Sequence, residues 1–438
     1  MTTLQQKTLP IPSEIRKILV KLYPTADDAK RICDDARLNI INIATDGATI
    51  DFWHRILSEA RNQTNGLHRL IDVVVEEREN PELIEIFDKF CKRAGIKRQV
   101  PIICIGSVYL DVRIVGSVGQ DDNERYYLDS NNEVLRDITI SPGGSVYYVA
   151  KHLSIQKRQS HILSCIGAGR RTFAQLFRDL ADEDGMSKAV EHISPITAQT
   201  TAITVLFSAI DHRQLFLPMV TDRAVLQSVN WEQLEVNLQK LLNEKVGHEK
   251  GAIYISGFFK TGLHREIERN ITRLKTNNTI FFDHGRVDLS IEENRSRLRQ
   301  LIDVLCQIDV YFITKHELDK IISIRLPDAQ KDEKKSVEKI VDKLLTTVRL
   351  PKKMVVMEAK DQTVIHWVGI RRDNKYDFDS VQSQITEVSM GRIIETNNAF
   401  NAAFIDSYLE LRETNNLHRL MECVRIARNY MLSVLSGG

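Results

Sequence analysis

The apolar positions of this 438-residue chain follow two regimes. From residue 11 to about 93 they recur every three to four residues, the repeat of one face of an α-helix. Ile15, Ile18, Leu19 and Leu22 share one side of the first stretch, Ile11 to Tyr23. Pro24 stops it, and Thr25 with Asp28 three residues on starts the next as a capping-box-like pair, Asp substituting for Glu. Asp51 to Arg61 and Leu67 to Glu79 follow, the second carrying Leu67, Leu70, Ile71, Val74 and Val75. Asn80-Pro81 opens a last helix through Phe87 and Phe90, with asparagine as cap and proline at the first helical position. Five short helices in this span predict an all-α bundle over residues 1–93.

After a short hinge at 94–100, with Gly95 and the basic pair Lys97-Arg98, the repeat changes. Brief apolar runs read as strands at 101–106, 160–166, 202–208, 251–256, 279–282, 310–313 and 353–357. Helical stretches lie between them, near 149–155, 174–184, 231–243, 262–275, 292–306, 315–323 and 335–347. This alternation over 101–438 predicts a doubly wound, mostly parallel α/β sheet with helices on both faces. The polar, charged stretch 327–335 reads as an exposed loop.

Composition narrows the function classes. A net charge of +1 gives no reason to expect nucleic acid or an anionic membrane as a partner. No apolar run reaches the roughly 18 residues that span a bilayer, and the opening residues lack the apolar core of a secretion signal. Six cysteines are scattered without a CxxC pair, which predicts reduced, packed thiols and a cytoplasmic protein. The twelve histidines show no HExxH spacing, so no metal site is expected from that motif.

Two resemblances add to this reading. Residues 11–90 resemble the effector-associated, death-like adaptor domains of bacterial conflict systems. The residues that carry this are Leu22-Tyr23-Pro24, Asp27-Asp28-Ala29, the tract 40–43, Phe52-Trp53, and Val73 to Leu83 through Asn80-Pro81-Glu82. That resemblance implies a docking module whose partners carry a matching domain.

Residues 101–430 resemble the PfkB/ribokinase family of small-molecule kinases, with a small β lid formed by the strands near 126–128, 134–140 and 201–216. Ile105 to Asp111 corresponds to the first strand and turn, where the family's aspartate holds substrate hydroxyls, so Asp111 is the candidate substrate carboxylate. Pro142-Gly143-Gly144 matches the glycine pair that lets backbone approach the substrate, and Tyr148 stands where the family has asparagine. Phe281 to Arg286 resembles the family's strand-end Asp-Pro-Asn-Pro-Arg, shortened by one. Thr314 and Glu317 stand at the Asn-X-X-Glu landmark that organises magnesium and phosphate. The turn 165–169 lacks the family's aspartates, and Glu358 and Asp361 replace two glycines that pass the nucleotide.

The run Glu395-Thr396-Asn397-Asn398-Ala399-Phe400-Asn401-Ala402-Ala403 aligns with the family's Asp-Thr-X-Gly-Ala-Gly-Asp-Ala-Phe. Asn398 and Phe400 take the places of the glycines, and Asn401 that of the catalytic aspartate. A neutral amide cannot accept a proton near pH 7. Asn398 and Ala399 would lie at the helix start that cradles phosphate, with Phe400 crowding it. The resemblance therefore implies a pseudokinase that acts as a scaffold or senses a nucleoside, nucleotide or sugar, with magnesium and ATP involved only if nucleotide binding is retained. Two alternatives stay open: an active sugar or nucleoside kinase with Glu395, or Asp406, as substitute base, and a structural homo-oligomer joined through lid strands.

Overall fold

In the computed structural model the helical repeat becomes α1 (Ser13–Leu22), α2 (Ala26–Asp35), α3 (Thr49–Asn62), α4 (Gly66–Glu77) and α5 (Pro81–Ala94). The expected caps are present. The Thr25 hydroxyl accepts the Asp28 N–H at 3.1 Å and donates to the Asp28 carboxylate at 2.6 Å, so the cap forms while the aspartate takes the hydroxyl, where a capping-box glutamate would take the cap residue's N–H. Asn80 Oδ1 accepts the Leu83 N–H at 2.9 Å ahead of Pro81. The apolar faces meet around Trp53, whose Nε1 donates to the Tyr23 carbonyl at 3.3 Å, with Phe52, Ile56, Leu70, Ile71 and Phe87 buried about it. That one hydrogen bond removes the cost of burying the indole N–H.

The structure describes residues 9–436 apart from 37, 42, 44–47, 64–65, 79, 95, 97–99, 101, 117, 121–125, 129–134, 170, 198, 210–213, 218–230, 242–250, 258–269, 276–277, 284, 286–295, 297–301, 303–304, 326–336, 346–348, 361–362, 374, 385–392 and 412–415. The chain divides into two units, one over Met1–Gln99 with Leu409–Arg412 and one over Val100–Tyr408 with Glu413–Gly438.

The second unit opens with β1 (Ile102–Ile105), β2 (Tyr109–Gly116), β3 (Val118–Gln120), β4 (Tyr126–Leu128) and β5 (Leu135–Gly143). Next come α6 (Ser145–Ile155), β6 (Ser160–Gly167), α7 (Arg171–Glu183), α8 (Ser187–Val190), β7 (Ile193–Ile196), β8 (Ile203–Ala209), β9 (Gln214–Leu217) and α9 (Trp231–Leu241). The remainder holds β10 (Gly251–Ser256), β11 (Asn278–Asp283), β12 (Val310–Thr314), α10 (Lys315–Arg325), α11 (Val337–Leu345) and β13 (Lys353–Lys360). It closes with β14 (Thr363–Arg372), β15 (Lys375–Gln384), α12 (Ile393–Glu410) and α13 (Leu417–Ser436). The helices expected near 262–275 and 292–306 and the loop 327–335 lie largely outside the described residues.

Nine strands form one sheet in the order β15-β14-β13-β12-β11-β10-β1-β6-β7. Pairing is parallel from β7 to β13 and antiparallel through β14 and β15, so the fold is a doubly wound, mostly parallel sheet. The central strands are buried on both faces, which is why they read as continuous apolar runs. Ile103, Ile105, Ile253, Ile255, Ile280 and Phe282 pack with Leu234 and Leu238 of α9 on one face. Phe312 meets Phe404 of α12 edge-on at 5.4 Å on the other. Strands β7, β14 and β15 and helix α13 were not anticipated from the apolar runs. The expected turn at 165–169 starts later, because β6 runs on through Gly167.

The topology sets up a crevice. The chain moves from β1 outward to β6 and β7, then returns to the other side of β1 with β10. In open α/β sheets a ligand crevice lies outside the carboxyl ends of the strands at such a switch point. A separate four-stranded sheet, in the order β5-β2-β8-β9, takes in two of the segments expected to form a lid, 134–140 and 201–216, and adds β2, expected as part of the first strand and turn. The third expected segment, 126–128, pairs instead with β3. In the register of the four-stranded sheet Ile140 pairs with Val112, and Ile138 with Ile114. Ile138 and Ile140 are 53% and 43% exposed on one face of that sheet.

Candidate functional site

The strand ends at the switch point lie against one another. A Cβ built on Gly257, just after β10, would lie 3.0 Å from Oγ of Ser107, which follows β1; one on Gly285, after β11, would lie 3.6 Å from Gly257. Two clusters of polar groups flank this line of backbone.

The first cluster brings together all four residues expected to hold a substrate. Asp111 is not at the end of β1, as anticipated, but the third residue of β2, paired with Ser141 of β5 and Thr204 of β8. Its carboxylate is 6% exposed and accepts the Tyr148 hydroxyl at 2.8 Å. Gly143 ends β5 directly against that carboxylate, where any Cβ would collide with it. Gly144 follows with φ of 106°, a conformation that penalises every residue with a side chain, and its backbone passes the Ser107 carbonyl. It then caps α6, which carries Tyr148 in its first turn and a half. The Pro-Gly-Gly sequence thus ends a strand, presses backbone onto an anion and starts a helix within three residues.

The second cluster centres on Asp283, the last residue of β11. One carboxylate oxygen accepts the Gly285 N–H at 2.8 Å; the other faces the Tyr254 hydroxyl at 3.4 Å and Nδ2 of Asn401 at 3.3 Å. Burial pushes the Tyr254 phenol well above its ordinary range, and the Asp283 charge pushes it further, so it acts as a neutral donor. Asn401 is 0% exposed, and its Oδ1 meets no donor among the described residues. The residue at the expected base position is a buried amide spent on Asp283.

The expected phosphate cradle differs most. Helix α12 begins at Ile393, so Asn398 and Ala399 lie inside it, past the four leading N–H groups that lack a partner within a helix. A helix start at Asn398 is therefore not present. The cause is local: 393–410 contains neither glycine nor proline, so nothing stops the helix from winding back through the stretch where a glycine turn was looked for. Phe400 is buried and stacks face to face on His366 of β14, with ring centroids 4.0 Å apart. Glu395 falls in the first turn of α12, and its side chain lies outside the described residues. Asp406, the other carboxylate considered as a base, is buried and bound by Arg158 Nε at 2.8 Å.

Thr314 and Glu317 form a capping box. The Glu317 carboxylate accepts both the N–H and the hydroxyl of Thr314, at 3.0 and 2.8 Å, while Thr314 Oγ1 accepts the Glu317 N–H at 3.3 Å. The Thr-X-X-Glu spacing carried that signal in the sequence, and it was not drawn on. Glu358 accepts the Trp367 Nε1–H at 3.4 Å across the β13–β14 pair; Asp361 lies outside the described residues. Among the described residues no three His, Cys, Asp or Glu side chains gather as a metal site. This donor set does not fit magnesium triphosphate: the carboxylate at the metal landmark caps its own helix, and the glycine turn is helical. At the first cluster, a carboxylate such as Asp111 is chemically able to accept hydroxyl donors.

Residues 9–91 match the family model described as effector-associated domain 1. The rest of the chain shares its fold with ribokinases. The structure of ribokinase from Giardia lamblia superposes with a TM-score of 0.54 at 12% identity, covering 76% of this chain and 95% of that one. Arabidopsis thaliana ribokinase, solved with ribose and ATP, gives 0.52 at 13% identity, covering 77% and 98%. At such identities the likeness is one of fold. No curated protein matches the chain in sequence. No helix among the described residues is long and apolar enough to cross a membrane.

Proposed function

We propose that this chain, an effector-associated domain joined to a ribokinase-like fold, is a pseudokinase that senses a small hydroxylated ligand and recruits a partner through its helical unit. The ligand class is a sugar or nucleoside, held at Asp111, Gly143 and Gly144, and the setting is a bacterial conflict system of the antiviral type, inside the cytoplasm. The observation that carries this reading is the course of α12. Helix replaces the phosphate turn, and the residue at the base position is a buried amide on Asp283. Loss of a general base costs about 10²- to 10⁴-fold in rate, and loss of an anion cradle about 10²-fold or more besides. A partner with a like domain would read ligand binding through the second unit; magnesium and ATP are outside the proposal.

The test is thermal stabilisation by D-ribose and by adenosine, compared in the parent chain and in Asp111→Asn. Ligand that binds the native state raises its melting temperature with concentration. The proposal expects a shift with at least one probe that Asp111→Asn abolishes. Equal shifts in both proteins would remove Asp111 from the site.

A second copy of the chain is also proposed as a partner, and the exposed Ile138 and Ile140 on one face of the lid sheet favour it. Sedimentation of the parent chain and of Ile138→Lys/Ile140→Lys would separate an oligomer from a monomer.

A further inference from the structure

We infer that Tyr148 is a built-in competitor for the ligand: its hydroxyl occupies the Asp111 carboxylate until a ligand hydroxyl displaces it. The inference rests on the ligand site proposed above and concerns how that site is opened. Three observations carry it.

First, the bond made by Tyr148 is the one a ligand would need. Its O–H donates to Asp111 Oδ2 at 2.8 Å, an ordinary O–H···O length, and the acceptor is a carboxylate oxygen. A phenol and a sugar hydroxyl present the same donor chemistry to a carboxylate.

Second, Asp111 is hemmed in elsewhere. Gly143 backbone lies against the carboxylate, and Asp111 sits within β2 between the strands β5 and β8. With Tyr148 in place Asp111 is only 6% exposed, so little of it is open to an incoming group.

Third, Tyr148 itself can give way. It is half-buried, whereas its neighbour Tyr147 is fully buried and tied to Asp184 at 2.8 Å. Tyr147 holds α6 in place while Tyr148 lies beside it edge-on, with ring centroids 6.2 Å apart. A side-chain rotation of Tyr148 would release the Asp111 oxygen that it now holds.

The site would then respond to ligand by trading one hydroxyl for another, and the displaced ring would be the change that ligand makes. Removing only the Tyr148 hydroxyl should tighten binding, since a hydrogen bond to a charged group that no longer competes corresponds to about tenfold or more in affinity.

The experiment is calorimetric titration of D-ribose and of adenosine into the full chain, into Tyr148→Phe and into Asp111→Asn. The melting temperature of each variant is recorded without ligand, to show that it folds. The inference expects Tyr148→Phe to bind at least one probe about tenfold or more tightly than the parent, and Asp111→Asn to lose that binding. Binding seen only in Tyr148→Phe supports it equally. If Tyr148→Phe binds as the parent does or more weakly while Asp111→Asn loses binding, the site stands and the competitor role falls. If Asp111→Asn binds as well as the parent, the site itself is wrong. If no probe binds any of the three folded proteins, both fall.

Discussion

Replacing Asn401 by aspartate would put back the side chain that the kinase motif carries, and the surroundings of Asn401 predict that the change fails. Its Nδ2 lies 3.3 Å from Asp283 Oδ2, and the residue is fully buried. A carboxylate in its place faces another at that distance, a repulsion of about 5 kcal/mol at an effective dielectric of 20. Added salt relieves little of it in a buried site. One carboxyl therefore keeps its proton in the folded state above the range where it would lose it unfolded. A group shifted upward in this way contributes fully below the unfolded value, about 3.9 for aspartate, and its contribution is lost as the pH rises. Asn401→Asp should match the parent chain to within about 1 kcal/mol at pH 4.5 and lose about 3–5 kcal/mol relative to it by pH 8. Urea denaturation of both proteins at pH 4.5, 6 and 8 measures this. Equal stability at pH 8, or a gain of ATP-dependent phosphoryl transfer, would refute the reasoning.

Other consequences are as direct. Burial pushes His366 down to about 3, with Arg428 acting in the same direction, and both ring nitrogens lack a partner among the described residues. The stability gained from keeping it neutral is present above pH 6.5 and is lost as the pH falls toward 3. Measured against His366→Phe by urea titration, the parent should lose about 2 kcal/mol between pH 7 and 5. Thr314→Ala should cost about 1 kcal/mol in thermal unfolding and leave ribose and adenosine binding unchanged; lost binding would return Thr314 and Glu317 to the ligand site. Arg158→Met should cost about 3–5 kcal/mol by removing the buried cation that faces the Asp406 carboxylate, with much of the loss recovered in Arg158→Met/Asp406→Leu.

The sequence carried the fold because its signals were local and mutually consistent. The caps at Thr25 and Asn80 needed only a few residues of context, and the central strands announced themselves as apolar runs. Strands β14 and β15 escaped because their residues, from Thr363 to Gln384, mix charges with apolar positions along an antiparallel edge. At the site, Asp111 and Tyr148 were each singled out, yet no spacing rule tells that residues 37 apart share a hydrogen bond. The course of α12 was misread because a motif alignment supplied a turn that the residues themselves, free of glycine and proline, do not make. The Asp283–Asn401 contact spans 118 positions and depends on how β11 faces α12, which only the fold supplies.

The central claim is that the fold keeps a ligand site without phosphoryl transfer. The most direct measurement is a single-turnover assay with excess protein, radiolabelled ATP and magnesium, using D-ribose and adenosine as acceptors. The account predicts no labelled product above the protein-free control for either acceptor, including one that raises the melting temperature of the chain. Labelled ribose phosphate or adenosine phosphate that disappears in Asp111→Asn would contradict it and establish a working kinase.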